Sequence, residues 1–252
     1  HYRSHSFPTR RSSDLTKFVV QNVKGDSFFE KLNKASTPKF FNFLLENNFL
    51  GDKTGKGFYQ KTKHKDENGR TIINALDLKT LEYRKSVRPK ISLIKEAKGI
   101  EKIDKRFQLL ISKDEKESLF LKEYFAAILS YSAQRVPEIS DNCYQLDDAM
   151  RAGYVWDFGP FQYWDLIGFD KGISLINECG ETLPKWINDM KASGANCFYK
   201  YENGEKKYYD LTTHSYKKIP GSDAFIILDS YRQNSPVIKN SERSVHDIVE
   251  GV

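Results

Sequence analysis

Asp147-Asp148-Ala149-Met150-Arg151-Ala152-Gly153-Tyr154-Val155-Trp156-Asp157-Phe158-Gly159-Pro160-Phe161-Gln162-Tyr163-Trp164-Asp165-Leu166-Ile167-Gly168 is the stretch that decides the fold class of this chain. It reads as helix, break, helix. One amphipathic segment ends around Met150 and Tyr154, where Gly153 offers a residue able to take positive φ at a helix end. Gly159-Pro160 then punctuates the chain, and Pro160 suits the first position of a new helix because no N–H is needed there. Phe161, Trp164 and Ile167 or Gly168 recur at three-residue spacing, which predicts one apolar, aromatic helix face. None of these residues is an obvious nucleophile or metal ligand. The stretch reads as a packing element.

Working outward, more helix is expected on both sides. Between Leu119 and Ile139, the spacing of Phe120, Tyr124, Ala127, Ile128 and Tyr131 predicts one buried face of a long helix, ended by Pro137. Glu138-Ile139 leads into the helix that reaches Asp147 and Met150. Lys171 to Glu178 is a further helix, ending near Gly180. Upstream, Ser92 to Ile111 is an amphipathic helical stretch rich in Lys and Glu. It is expected to belong to a solvated connector over residues 61–117, with Lys61 to Gly69 as polar linker and a strand or turn pair within 71–86.

An internal repeat is visible without any outside knowledge. Pro38-Lys39-Phe40-Phe41-Asn42-Phe43-Leu44 matches Pro184-Lys185-Trp186-Ile187-Asn188-Asp189-Met190. Each is followed by a glycine, Gly51 or Gly194, and then by Phe58-Tyr59 or Phe198-Tyr199. The unit is helix, turn and aromatic strand, with Thr37 as the expected cap of the first helix. Gly51-Asp52-Lys53-Thr54-Gly55-Lys56-Gly57 does not make a phosphate loop, because the glycine spacing is one residue short and Gly57 stands where Ser or Thr is needed. It reads as a tight turn that folds Phe58 and Tyr59 back onto the helix. After the second copy, Glu202-Asn203-Gly204 predicts a hairpin turn between aromatic strands. Phe225-Ile226-Ile227-Leu228 is a short apolar run, and the chain beyond Asn234 is polar.

Composition excludes several classes. No run of about 18 apolar residues exists to span a membrane. Cys143, Cys179 and Cys197 are odd in number and lack metal-ligand spacing, which suits free thiols and a cytoplasmic setting. The net charge is +6, of which residues 1–15 supply +2. The remaining Lys and Arg mix with Glu and Asp, so no nucleic-acid partner is expected. Residues 1–15, HYRSHSFPTRRSSDL, resemble one reading frame of a sequencing-library adapter and are expected to be disordered. They lack the apolar core of a secretory signal.

The pattern D-x-A-M-x-x-G-x-x-W-x-x-G-P-F-x-x-x-D-x-I-G over residues 147–168 resembles the C-terminal domain of 3-hydroxyacyl-CoA dehydrogenases, most closely the second of two such domains in multifunctional fatty-acid β-oxidation proteins. Leu50-Gly51-Asp52-Lys53-Thr54-Gly55-Lys56-Gly57-Phe58-Tyr59 is similar to the end of the first. The resemblance spans roughly residues 16–252 and implies a mainly α chain of two tandem helical domains with small aromatic hairpins. It implies a first domain over 16–60, lacking its leading helices, and a second over 118–232. Residues 233–252 would be a linker toward an enoyl-CoA hydratase domain.

The activity this implies is NAD-dependent oxidation of a 3-hydroxyacyl-CoA in fatty-acid β-oxidation. Such chemistry needs a His general base oriented by a carboxylate and a dinucleotide fingerprint G-x-G-x-x-G after a strand. Neither is expected here, since the histidines stand at 1, 5, 64, 214 and 246, outside any such motif. NAD would be held by a Rossmann domain outside this chain, and the chain alone would be inactive. What the resemblance leaves to these residues is covering the acyl-CoA and contributing to a homodimer, with Tyr163 as the substrate-contacting aromatic; no metal is expected. The alternative is a non-catalytic helical interaction module of the same fold.

Overall fold

The computed structural model describes residues 18–19, 21–87, 89–202, 204–222, 237–239 and 245–246. Contacts divide the chain into two units, His1–Lys90 and Ile91–Val252. The described residues are mainly helical, with two three-stranded antiparallel sheets and one two-stranded ribbon.

In the first unit, α1 (Ser27–Lys34) starts where the buried Asp26 carboxylate accepts hydrogen bonds from the Phe28 and Phe29 amides at 2.9 and 3.2 Å. Helix α2 (Lys39–Glu46) begins directly after Pro38, which is itself the N-cap, so Thr37 does not serve as the cap. Leu44 is its buried residue. Gly51 and Gly55 then take positive φ, and the turn brings Phe58 against Phe40 of α2 at 6.0 Å. Tyr59 does not follow it inward and stays 65% exposed. Three antiparallel strands follow in chain order: β1 (Tyr59–Lys65), β2 (Thr71–Leu76) and β3 (Tyr83–Lys85). The expected polar linker at 61–69 is therefore corrected. It is the end of β1 and a turn in which Asp66 accepts from the Asn68 and Arg70 amides. Lysines alternating along a strand with one solvated face hide its period from a search for apolar residues.

The second unit holds α3 (Ser92–Lys98), α4 (Ile103–Leu110), α5 (Lys116–Gln134), α6 (Cys143–Tyr154), α7 (Pro160–Ile167), α8 (Phe169–Glu178) and α9 (Lys185–Ala192), then β4 (Tyr199–Glu202), β5 (Glu205–Asp210) and β6 (Ser215–Lys218). Its core gathers Phe125, Leu129, Phe161, Trp164, Ile176 and Phe198, among others. Trp164 and Phe161 are fully buried, each contributing roughly 1.5–3 kcal/mol by area removed from water. Helices α3 and α4 are packed rather than solvated: Leu93 is fully buried, and Phe107 of α4 meets Phe125 of α5 at 5.8 Å. Helix α5 also corrects the expected face. Phe120 and Tyr124 are exposed, while Phe125, Ala126, Leu129 and Ala133 are buried. Both faces of α5 are apolar, and the one with alanines lets neighbouring helices approach closely.

Strands β4 and β5 meet at a tight turn with Glu202 opposite Glu205 and Gly204 at φ 77°; Asn203 lies outside the described residues. So do residues 1–15, the run 225–228 and most of the tail, in which β7 (Val237–Lys239) pairs with β8 (Val245–His246).

The internal repeat is longer than the sequence shows at first reading. Both copies run helix, turn and three-stranded meander: α2 with β1–β3, and α9 with β4–β6. The Leu76 amide donates to the Phe58 carbonyl as Tyr209 donates to Phe198, at 2.9 and 2.8 Å. The Tyr83 hydroxyl donates to Gly57, and the Tyr216 hydroxyl to Cys197. Between the last two strands, Asp77-Leu78-Lys79-Thr80-Leu81-Glu82-Tyr83 matches Asp210-Leu211-Thr212-Thr213-His214-Ser215-Tyr216, with Leu81 and His214 both at positive φ.

Two glycines of the second unit are fixed by close approach, and a third is not. A Cβ on Gly172 would lie 2.0 Å from Trp164 Nε1, and one on Gly159 would lie 2.4 Å from Asp147. Gly153 lies inside α6 with nothing within 4 Å of its Cβ position, and the left-handed residue that ends the helix is Val155 at φ 56°. Gly172→Ala is expected to cost about 1–3 kcal/mol by overpacking. Gly153→Ala is expected to stabilise by about 0.5–1 kcal/mol, since a helix-interior glycine is replaced without obstruction. Urea denaturation of both variants checks the pair, and equal effects would refute the assignment.

Candidate functional site

The opening motif builds a platform from two carboxylates. Asp147, on α6 and almost fully buried, accepts from the Phe161 amide at 2.9 Å and the Gln162 amide at 3.1 Å. It thereby caps α7 from another helix, where carboxylates are favoured by the exposed N–H groups. Gln162 reaches back to accept from the Gly159 amide at 2.9 Å. The Tyr199 hydroxyl donates to Asp147 at 2.7 Å. Asp165, on the far side of α7, accepts from the Phe198 and Tyr199 amides at 2.8 and 2.9 Å. Trp164 donates its indole N–H to the Phe169 carbonyl at 3.0 Å, closing the joint between α7 and α8.

Tyr163 rides on this scaffold. Its ring lies 5.3 Å from Phe107, 5.6 Å from Phe125, 5.7 Å from Phe158 and 6.0 Å from Trp156. The chain of rings continues to the surface through Tyr124 and Phe120 on one side, and through Trp156 and Tyr154 on the other. Phe120, Tyr154 and Val155 are 64%, 70% and 88% exposed. Tyr163 is half-buried, and burial raises its hydroxyl above the usual tyrosine value, with Asp157 adding to the effect. The arrangement offers an aromatic wall for an apolar or planar group.

Bond-making chemistry has little to work with among the described residues. Burial pushes the thiols of Cys143, Cys179 and Cys197 upward, away from the reactive thiolate. His64 lies exposed on β1, and His214 Nδ1 is 3.2 Å from the Tyr209 hydroxyl. The side chain of His246 and the two N-terminal histidines lie outside the described residues. No cluster of His, Cys, Asp and Glu suited to a metal occurs among the described residues. The Gly51–Gly57 turn leads into strand β1 rather than a helix, so it does not fit the diphosphate of NAD.

Comparison with known proteins bears on this site. The chain is 31% identical over 240 residues to the probable 3-hydroxyacyl-CoA dehydrogenase of Bacillus subtilis, covering 95% of the chain and 29% of that protein. The relatives support the 3-hydroxyacyl-CoA dehydrogenase family. Putative fatty acid oxidation complex trifunctional enzymes are also similar: 27% identical in Rickettsia prowazekii, over 69% of the chain and 24% of that protein. In Rickettsia felis the identity is 28%, over 53% of the chain and 16% of that protein. The chain thus spans less than a third of the length of these relatives. No family profile and no solved structure matches it. No helix among the described residues is long and apolar enough to cross a membrane. Within this family setting, the residues of the opening motif divide between scaffold (Asp147, Gly159, Trp164, Asp165) and the aromatic surface around Tyr163. Sequence reasoning assigned Asp147 no specific role and missed Asp165, because their partners are backbone amides and a tyrosine far along the chain, which carry no local sequence signal.

The two carboxylates make a pH prediction. Burial pushes each up to about 7, against the lowering pull of its hydrogen-bond donors. Folded-state values above the usual 3.8 mean that the folded chain holds protons the unfolded chain releases. The corresponding stability is fully present below pH ~4 and is lost as pH rises through 7. The urea midpoint is expected to fall between pH 5 and pH 8, with Asp147→Asn and Asp165→Asn each flattening the slope. A midpoint that rises over that range would contradict it.

Proposed function

We propose that this chain is the helical part of a 3-hydroxyacyl-CoA dehydrogenase of fatty-acid oxidation, carried in a longer polypeptide. The observation that carries this reading is 31% identity across 95% of the chain to the Bacillus subtilis relative, together with the 29% of that relative's length which the chain spans. In this reading, hydride passes from C3 of a 3-hydroxyacyl-CoA to NAD⁺, leaving a 3-oxoacyl-CoA. NAD and the catalytic His and Glu belong to a Rossmann domain outside these residues. The present chain covers the acyl-CoA and contributes to a homodimer. Relatives named as trifunctional enzymes support a further hydratase domain in the same polypeptide, and a cytoplasmic location goes with that assignment. The tandem arrangement of two C-terminal domains is supported by the repeated helix, turn and meander.

Tyr163 is the proposed substrate contact. Its ring sits at the centre of the aromatic wall, and among the described residues its hydroxyl makes no hydrogen bond to the protein, which leaves it available to a ligand. The expected outcome of Tyr163→Phe in the longer enzyme is a several-fold rise in KM for a long-chain 3-hydroxyacyl-CoA, with kcat within about twofold, as for a lost uniform binding contact. An unchanged KM would dismiss the hydroxyl contact.

A further inference from the structure

Among the lysines of the second meander, one is held differently from the rest. Lys200 and Lys207 pair with Glu202, Lys217 with Asp210 and Lys218 with Glu205, at 2.5–3.2 Å. Lys206 forms no ion pair among the described residues. Its ammonium lies 4.5 Å from the centre of the Tyr199 ring instead. Strand register puts Lys206 on the face of Tyr199 and Tyr208, the face that meets Tyr144 and Asp147 of α6. It is half-buried there, and desolvation holds its ammonium below the usual lysine value.

The carboxylates beside it call for a cation. Asp147 is buried and Asp165 half-buried, and neither forms an ion pair among the described residues. Every hydrogen bond to them comes from a donor: the Phe161, Gln162, Phe198 and Tyr199 amides and the Tyr199 hydroxyl. A proton on either acid finds no acceptor among these partners, so the arrangement suits two anions. Neighbouring anions withdrawn from water are costly without a counter-charge. The Tyr199 residue links the cation to both, through its ring, its hydroxyl and its amide.

The first meander supplies the contrast. Lys61 pairs with Ile73 across the strands as Tyr201 pairs with Lys206, so Ile73 stands where Lys206 stands. The meander itself therefore does not require a lysine at this position.

From these observations we infer that Lys206 is the counter-cation of the Asp147–Tyr199–Asp165 network and, through it, a positioning residue for Tyr163. Its charge keeps both carboxylates ionised, so that Asp147 holds the start of α7 and Asp165 the start of β4. Tyr163 stands on α7 between Gln162, which Asp147 grips, and Asp165 itself. The role toward Tyr163 rests on the proposed acyl-CoA contact. Of the remaining charges that face Lys206, Asp148 favours and Arg151 opposes the cation, and these two pair with each other at 3.5 Å. Cys143, Cys197, Tyr199 and Tyr216 lie near the carboxylates with thiols and phenols pushed up by burial, so they stay neutral between pH 5 and pH 8.

The test compares Lys206→Met, which removes the charge, with Lys206→Arg, which keeps it. Urea midpoints of the 252-residue chain are measured at pH 5 and pH 8. Without the cation the folded carboxylates hold their protons to higher pH, and more stability is lost as pH rises. The Met variant is expected to fall more steeply than the wild type over this range, and the Arg variant to run parallel to it. Parallel slopes for all three overturn the inference whatever their offset, since lost packing shifts both pH values alike. Lys206→Gln takes the place of the Met variant if the latter does not fold. In the longer enzyme, the Met variant is expected to raise KM for a long-chain 3-hydroxyacyl-CoA about fivefold at pH 8 and less than about twofold at pH 6, with the Arg variant restoring the wild-type value. A KM ratio equal at both pH values overturns the positioning role. A longer protein without dehydrogenase activity removes the proposed function, and the slopes of the 252-residue chain then decide the counter-cation on their own.

Discussion

Two carboxylates that accept backbone amide protons hold the second unit together. Asp147 ties α6 to the start of α7, and Asp165 ties α7 to the start of β4. Tyr199 meets both, giving its hydroxyl to one and its amide to the other. Each amide would otherwise be an unpaired donor in a poorly hydrated place, at a cost of about 1–3 kcal/mol. The tight contacts of Gly159 with Asp147 and of Gly172 with Trp164 follow from this arrangement. Helix α7 is only eight residues long. Its position is set by these tertiary contacts, since so short a helix has little stability of its own.

That dependence explains what the sequence discloses and what it hides. The helix–break–helix reading of residues 147–168 agrees with α6 and α7, because Gly159-Pro160 and the three-residue aromatic spacing are local signals. The buried face of α5 was not legible. Phe120 and Tyr124 carry the stronger apolar signal, yet close packing selects the alanine-bearing face. The segment 61–69 was not legible either, since a strand lined with lysines shows no apolar alternation. Val155 rather than Gly153 takes the left-handed turn at the end of α6. The repeat was partly legible. Its helix and Phe-Tyr pair are visible by eye, while the third strand and the Tyr83 and Tyr216 bonds emerge only from the fold.

The same reversal on α5 bears on function. Turning Phe120 and Tyr124 outward places them in line with Tyr163, Trp156 and Tyr154, so a helix that could have buried its largest rings instead extends an aromatic surface. A large exposed apolar surface marks a binding site more often than a defect. Two of the relatives are named for fatty acid oxidation, and in the proposed reading an aromatic wall supplies area to an acyl chain without demanding specific geometry. Tyr163 was named from the sequence by resemblance to family members. Its ring neighbours were not, because Phe107, Phe125 and Trp156 come from separate segments.

The central claim is that the carboxylate-held motif exists to present Tyr163 to an acyl-CoA. It is tested most directly by an experimental structure of the longer protein with a 3-hydroxyacyl-CoA bound. The account predicts acyl or pantetheine atoms in van der Waals contact with the Tyr163 ring, at about 4 Å, on the surface that Phe120, Tyr124 and Trp156 continue. A bound substrate remote from that surface, with Tyr163 covered by another protein segment, would contradict it.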